Sequence, residues 1–466
     1  MKYLYPFVIV LYAFLPTTHS ELLGIPLSNK AGKTIEVEIL KIEPDRIFIR
    51  LENRNELWLE RNRLSDESLQ MIARLETEQQ PDYTTINDLL GITLFQDNNL
   101  LDDATESVAE RLNWALESKT DHQSSFRFYP VENYTVLGTR AYACALYGTA
   151  GKTAQLNIIF ANKGDFNFSP VPTRKEIKAM EATVEKDETL LFKKLSEVLG
   201  ESDRQSYGGG GNLRERIHRW DWQGHAFLLA SQKGEYVSLR ITSSKTADNS
   251  GRGERFSDAE LRTLTRKNVT TRKNGDIIIK NIPMVNQGPK GYCVPATFER
   301  YLRYMQIQAN MYLLAMAGQT RVGGGTYLSE IIEAVEGYLS SQNRSLKRMQ
   351  ATIDVRTVQK YIDDGLPVIW AMYSTQDYNF YASQRTTKRY SVTDWDAWRE
   401  TLKKEEREIQ LEKVRNTSHA CLIIGYNEDT GEIAVSDSWG PEYEERWISA
   451  EHARQVSQGS IYLIGF

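Results

Sequence analysis

Residues 284–305 read MVNQGPKGYCVPATFERYLRYM. The first half is a loop punctuated by glycine and proline. The second half carries helical spacing, with Phe298, Leu302 and Met305 recurring on one face. Pro295 falls in the first turn, where a missing N–H costs nothing. The pattern predicts a helix that opens at Cys293. A thiol placed there meets unpaired N–H groups and the positive end of the peptide dipoles, which stabilise a thiolate and lower its pKa. Upstream, residues 276–283 (DIIIKNIP) read as a strand leading into the loop.

A reactive thiolate needs a base beside it and a group that orients the base. Both residue types are found about 130 residues further on. They lie in residues 417–426 (TSHACLIIGY) and 433–440 (IAVSDSWG), each of which reads as a buried strand. The polar turn between them makes the pair a hairpin, which brings His419 and Asp437 side by side. The carboxylate then fixes the imidazole tautomer and supports its positive charge. Gln287, six residues before Cys293, is of the type that donates an amide N–H to a developing oxyanion, with the Cys293 backbone N–H as second donor. The candidate catalytic residues are therefore Cys293, His419, Asp437 and Gln287. Cys421 and Cys144 sit in apolar stretches and read as core residues. A disulfide from Cys421 to Cys293 is the alternative for the former.

The Gln before a helix-opening Cys, the His-Ala that begins an apolar strand and the Asp-Ser-Trp-Gly that ends its neighbour resemble the papain-like cysteine peptidases. The likeness is strongest to the bacteriocin-leader (double-glycine) peptidase group and spans residues 277–466. Residues 313–326 (LLAMAGQTRVGGGT) and 365–370 (GLPVIW) are similar to that group's intermediate helix and central strand. The resemblance implies Cys293 as nucleophile, His419 as base and acid, Asp437 as orienting group and Gln287 as oxyanion donor. Val294 stands where Gly is common in the leader peptidases, and no transporter segment is attached.

Outward from this region, residues 376–415 look like an insertion, with Trp395, Trp398, Leu402 and Ile409 on one face of a helix capped by Asp394. Residues 251–276 read as a polar and basic connector accessible to cleavage. Residues 85–250 read as an α+β domain of unknown role. Its expected strands are at Ala141–Tyr147, Leu156–Phe160, Ile217–Trp222, Ala226–Ala230 and Tyr236–Ile241, and its long amphipathic helix at about Thr173–Leu199. His122, His218 and His225 have no metal-ligand spacing. At the front, residues 21–80 hold three alternating segments followed by a helix opening near Ser65. Residues 32–75 (GKTIEVEILKIEPDRIFIRLENRNELWLERNRLSDESLQMIARL) resemble an SH3-like small barrel related to the first homology domain of a yeast actin-patch adaptor, over residues 30–75. Residues 3–15 (YLYPFVIVLYAFL) are too short to span a bilayer and fit a signal peptide cut after residue 20.

Composition sets the outer limits. The 466 residues carry 57 Lys and Arg against 62 Asp and Glu, a net charge of −5 that gives no global reason to bind nucleic acid. Three cysteines exclude a disulfide scaffold and a four-cysteine zinc site. The expected fold class is α+β. The expected function is an exported peptidase, secreted or in the bacterial cell envelope, acting on peptide or protein substrates. No cofactor, metal, nucleic acid or membrane span after signal cleavage is expected, and a protein ligand is expected for the small barrel. The alternatives are an inactive peptide-binding or cell-surface interaction protein on the same fold, or a transglutaminase-like acyl transferase.

Overall fold

The computed structural model describes residues 24–466 other than 44, 167–171, 210, 253–255 and 322–324. The expected signal peptide lies outside the described residues. The chain divides into two compact units, Met1–Gln80 and Pro81–Phe466. Helices and antiparallel strands share the chain, which is α+β. Among the described residues no helix is long and apolar enough to cross a membrane.

The first unit is a four-stranded antiparallel meander of Ile25–Ser28, Thr34–Ile42, Arg46–Leu51 and Glu56–Glu60, followed by the helix Asp66–Gln79. Alternate residues Val37, Ile39, Ile47 and Ile49 point to one side and close over Ile25, Leu27, Leu64 and Ile72. The first strand is too short for its alternation to be read, and its Pro26 fits the edge position it occupies. The last strand is more exposed than its alternating pattern predicts. As the opposite edge it leaves Leu57 and Trp58 open to solvent, with Arg46 stacked on Trp58.

The second unit contains two large sheets. One has eight antiparallel strands in the order Asp203–Gly208, Arg214–Trp222, His225–Gln232, Tyr236–Ser243, Lys152–Asn162, Ala143–Thr149, Gln123–Phe128 and Leu116–Lys119. The helix Arg174–Leu199, opened by a Thr173–Glu176 capping box, lays Met180, Val184, Leu191 and Leu195 against it. Cys144 is fully buried in this core.

The other sheet orders Val269–Thr271, Ile277–Ile279, Ser418–Asn427, Val368–Tyr373, Ser457–Gly465 and Ser345–Gln350, with Glu432–Ser436 and Arg446–Ser449 continuing from Ser418–Asn427. The helix Cys293–Tyr304 packs on it through Phe298, Tyr301, Leu302 and Met305. Residues 258–276, whose charge reads as solvated, are instead folded onto this part of the unit. The helix Asp258–Lys267 buries Leu261 and Thr265. Arg266 pairs with Asp364, Arg272 with Glu445, and buried Asp276 with Arg389. Arg266 and Arg272 thus find acids far along the chain, while Arg262, Lys267 and Lys273 stay exposed. The insertion forms two helices, Gln376–Arg389 and Trp395–Glu408, the second capped by the Asp394 side chain. Arg385 and Arg389 both reach Glu432, holding the insertion to the sheet.

Candidate active site

The hairpin expected from residues 417–440 forms, with Leu422 opposite Ser436 and Ile423 opposite Val435. Asp437 follows the second strand directly, so its side chain lies beside His419 near the open end of the first. His419 Nε2 is 2.8 Å from Asp437 Oδ1. The Cys293 thiol and the His419 imidazole lie close enough for each to shift the other's titration. Cys293 is the first residue of its helix and keeps part of its surface exposed, while His419 and Asp437 are buried. All three cysteines are free. Cys421, next but one to His419, is fully enclosed.

Burial alone would push the Cys293 thiol up. The hydrogen bond and charge of His419, with the backbone N–H groups of Ala420 and Val294, outweigh it and hold the thiol below its ordinary value of 9.0. His419 is pulled the other way. Burial opposes its charge, but Asp437 and Cys293 raise the imidazole from 6.5 to about 9. Burial likewise opposes the Asp437 carboxylate, and the Arg446 and His419 charges still bring it below 3.8. The two shifts run toward a thiolate beside an imidazolium, itself beside a carboxylate and a guanidinium. A thiolate in this setting can attack a carbonyl carbon, and the imidazolium can give a proton to a leaving group.

Gln287 lies in the loop that leads to Cys293. Its backbone N–H donates to Ser438 O at 2.8 Å, and its side-chain Nε2 donates to Lys290 O at 2.7 Å. The amide group thus spends one N–H inside its own loop and retains a second.

Several residues of the site are not among those picked from sequence. Arg446, 2 % exposed, donates from Nη2 and Nε to Asp437 Oδ2 at 2.6 and 3.1 Å. Trp439 covers the imidazole face, ring centres 4.7 Å apart. Thr297 Oγ1 donates to Ala420 O at 3.1 Å, tying the Cys293 helix to the His419 strand. Arg300 ties the same helix to the Asp437 strand, donating to Ser436 Oγ at 2.5 Å and to Pro283 O at 3.0 Å. Thr297 and Arg300 stand four and seven residues after Cys293, on its own helix face. That spacing was the available signal. Among the described residues no group of His, Cys, Asp or Glu is arranged to hold a metal ion.

Residues 279–460 match the Peptidase_C39 like family. No curated protein matches the chain. Among solved structures, one match is the peptidase domain of Streptococcus ComA, a bifunctional ABC transporter involved in a quorum sensing pathway. Identity is 14%, covering 40% of this chain and 98% of that one, with a TM-score of 0.26. Another is a cysteine-rich secretory protein from Staphylococcus aureus subsp. aureus Mu50, at 9% identity over 57% of this chain and 82% of that one, with a TM-score of 0.19.

Proposed function

We propose that the protein is an exported cysteine peptidase that hydrolyses peptide bonds through Cys293, His419 and Asp437. The observation that carries the reading is the His419–Asp437 hydrogen bond beside a helix-opening Cys293, with the thiol held low and the imidazole high. The Cys293 thiolate adds to the peptide carbonyl. His419, charged at the outset, gives its proton to the leaving amine as the C–N bond breaks. Water then attacks the thioester carbonyl with neutral His419 as base, releasing the acid and restoring the thiolate and the imidazolium. Asp437 keeps the imidazole turned toward sulfur and supports its charge. The free N–H of Gln287 and the backbone N–H of Cys293 are the donors for the oxyanion. Export is carried by residues 1–20, and the meander of the first unit is an SH3-like module that binds a protein ligand.

The test is digestion of fluorescein-labelled casein and a mixed peptide library by the mature chain and by Cys293→Ala, alongside labelling with an electrophilic thiol probe. Hydrolysis by the wild type and its loss in the variant are expected. Labelling of Cys293 without hydrolysis of any peptide would instead favour a peptide-binding protein, and equal hydrolysis by both chains would refute the assignment of Cys293.

A further inference from the structure

The loop between Pro283 and Cys293 is held by the eight-stranded sheet, which has no part in the proposed chemistry. Glu117 Oε1 accepts the Asn286 N–H at 2.7 Å, and Tyr129 donates its hydroxyl to the Asn286 carbonyl at 2.5 Å. Ser118 Oγ accepts the Met284 N–H at 2.9 Å. Lys290 pairs with Asp165 at 2.7 Å and lies over the Tyr129 ring. Tyr292 donates to Asn162 at 3.1 Å. Ala143, Ile159 and Tyr236 of the sheet share one apolar cluster with Val285, Tyr292, Ala296 and Met311.

The contacts of Glu117 and Tyr129 fall on the two peptide units that flank Asn286. Between Asn286 and Gln287, the carbonyl is held by Tyr129 and the N–H by Ser438 O, on the side of Asp437. The next residue, Gly288, has a φ of +67°, and a Cβ there would fall 2.7 Å from the Tyr129 ring. The loop is therefore shaped around this tyrosine. Burial keeps the Tyr129 phenol protonated, so it stays a donor, and Glu117 is fixed in turn by Arg127 and Ser125.

We propose that Tyr129 and Glu117 are positioning residues for the thiol site, clamping the Asn286 peptide so that Gln287 is aimed at the carbonyl that Cys293 attacks. The inference rests on the peptidase reading and deepens it. The eight-stranded sheet is then the rear wall of the oxyanion loop. It is not a segment to be shed on activation, since its removal would leave the Asn286 N–H and carbonyl without partners.

Two thiol reagents separate this role from general support. In acylation by p-nitrophenyl acetate, the thiolate forms an S–C bond, the carbonyl passes through an oxyanion and p-nitrophenolate leaves. Alkylation by iodoacetamide displaces iodide with no oxyanion. In the full mature chain, Tyr129→Phe should slow the acylation burst about tenfold to a hundredfold. Alkylation should keep its rate within about twofold and its pH midpoint. Glu117→Gln, which keeps an acceptor oxygen, should lose less than Glu117→Ala, and it serves if Tyr129→Phe fails to fold. Wild-type acylation by folded Tyr129→Phe and Glu117→Ala would overturn the clamp. So would an equal fall in acylation and alkylation, or the same acylation loss in Ile86→Val, a buried core variant outside the cluster shared with the loop. A burst that persists in Cys293→Ala would instead refute the thiol reading itself.

Discussion

Replacing Asp437 with Asn keeps a hydrogen-bond acceptor beside His419 and removes only the charge. In the native chain His419 is raised from 6.5 to about 9 against the opposing effect of burial, which amounts to about 3 kcal/mol in favour of the imidazolium. Asp437 and the Cys293 thiolate supply it, since they are the neighbours that raise the group. With the carboxylate gone, two effects add. The imidazolium loses its buried counter-charge, and the Arg446 guanidinium, 2 % exposed and paired among the described residues with Asp437 alone of the acids, becomes an uncompensated positive charge on the far side of residue 437. Both push the imidazole down.

A group raised in the folded state stays protonated below its folded pKa and loses the proton above it. The basic limb of peptide hydrolysis, which needs the imidazolium to protonate the leaving amine, should therefore move from about pH 9 toward acid by at least about one pH unit. The thiol loses its cationic partner at the same time, so its titration moves up toward the ordinary value and the active window narrows from both sides. The acid side is read by iodoacetamide alkylation of Cys293 against pH, and the basic side by kcat/KM on a fluorogenic peptide mixture. Asp437→Asn combined with Arg446→Met removes both buried charges and should regain part of the lost window and stability, because a lone buried charge costs more than an absent pair. Superimposable wild-type and Asp437→Asn profiles would refute the electrostatic account of the site.

Two further outcomes follow from packing. Cys421→Ala should cost about 1–2 kcal/mol in urea unfolding for the small space it leaves, while Cys293 keeps its alkylation rate and the stoichiometry stays at one. A loss of alkylation would show that Cys421 takes part in the chemistry. Arg300→Met should cost about 2–4 kcal/mol, because Ser436 and the Pro283 carbonyl lose their buried donor, and unfolding within a few tenths of wild type would contradict that role.

The elements that carry the site were legible because their signals are local. Three apolar residues at helical spacing and a proline in the first turn were enough to start a helix at Cys293, where it starts. Two apolar runs joined by a short polar turn were enough for the hairpin that brings His419 to Asp437. The long helix of the front sheet was equally plain, and its observed cap is the Thr173 at which the periodicity begins. Arg446 and Arg300 were not legible, since an isolated arginine in sequence reads as a surface charge. What buries them is a carboxylate and a pair of carbonyl and hydroxyl oxygens that only the folded chain brings near. The basic run before residue 276 reads as solvated for the same reason, although Arg266 and Arg272 have partners, Asp364 and Glu445, far along the chain.

That blind spot has a chemical pattern. The groups that would do chemistry are recognised by type, and the groups that hold them are recognised only by contact. Glu117 and Tyr129 precede Asn286 by more than 150 residues and carry no motif, yet they take both hydrogen-bonding groups of its backbone. A buried backbone N–H or carbonyl left without a partner costs about 1–3 kcal/mol, comparable to a tenfold to hundredfold change in rate if it is paid in the transition state. Backbone groups in a loop beside a reactive thiol therefore have to be satisfied from somewhere, and the Asn286 backbone has no partner within its own loop. The sheet supplies it. The thiol site's dependence on the rest of the chain therefore runs across residues 251–276 to Glu117.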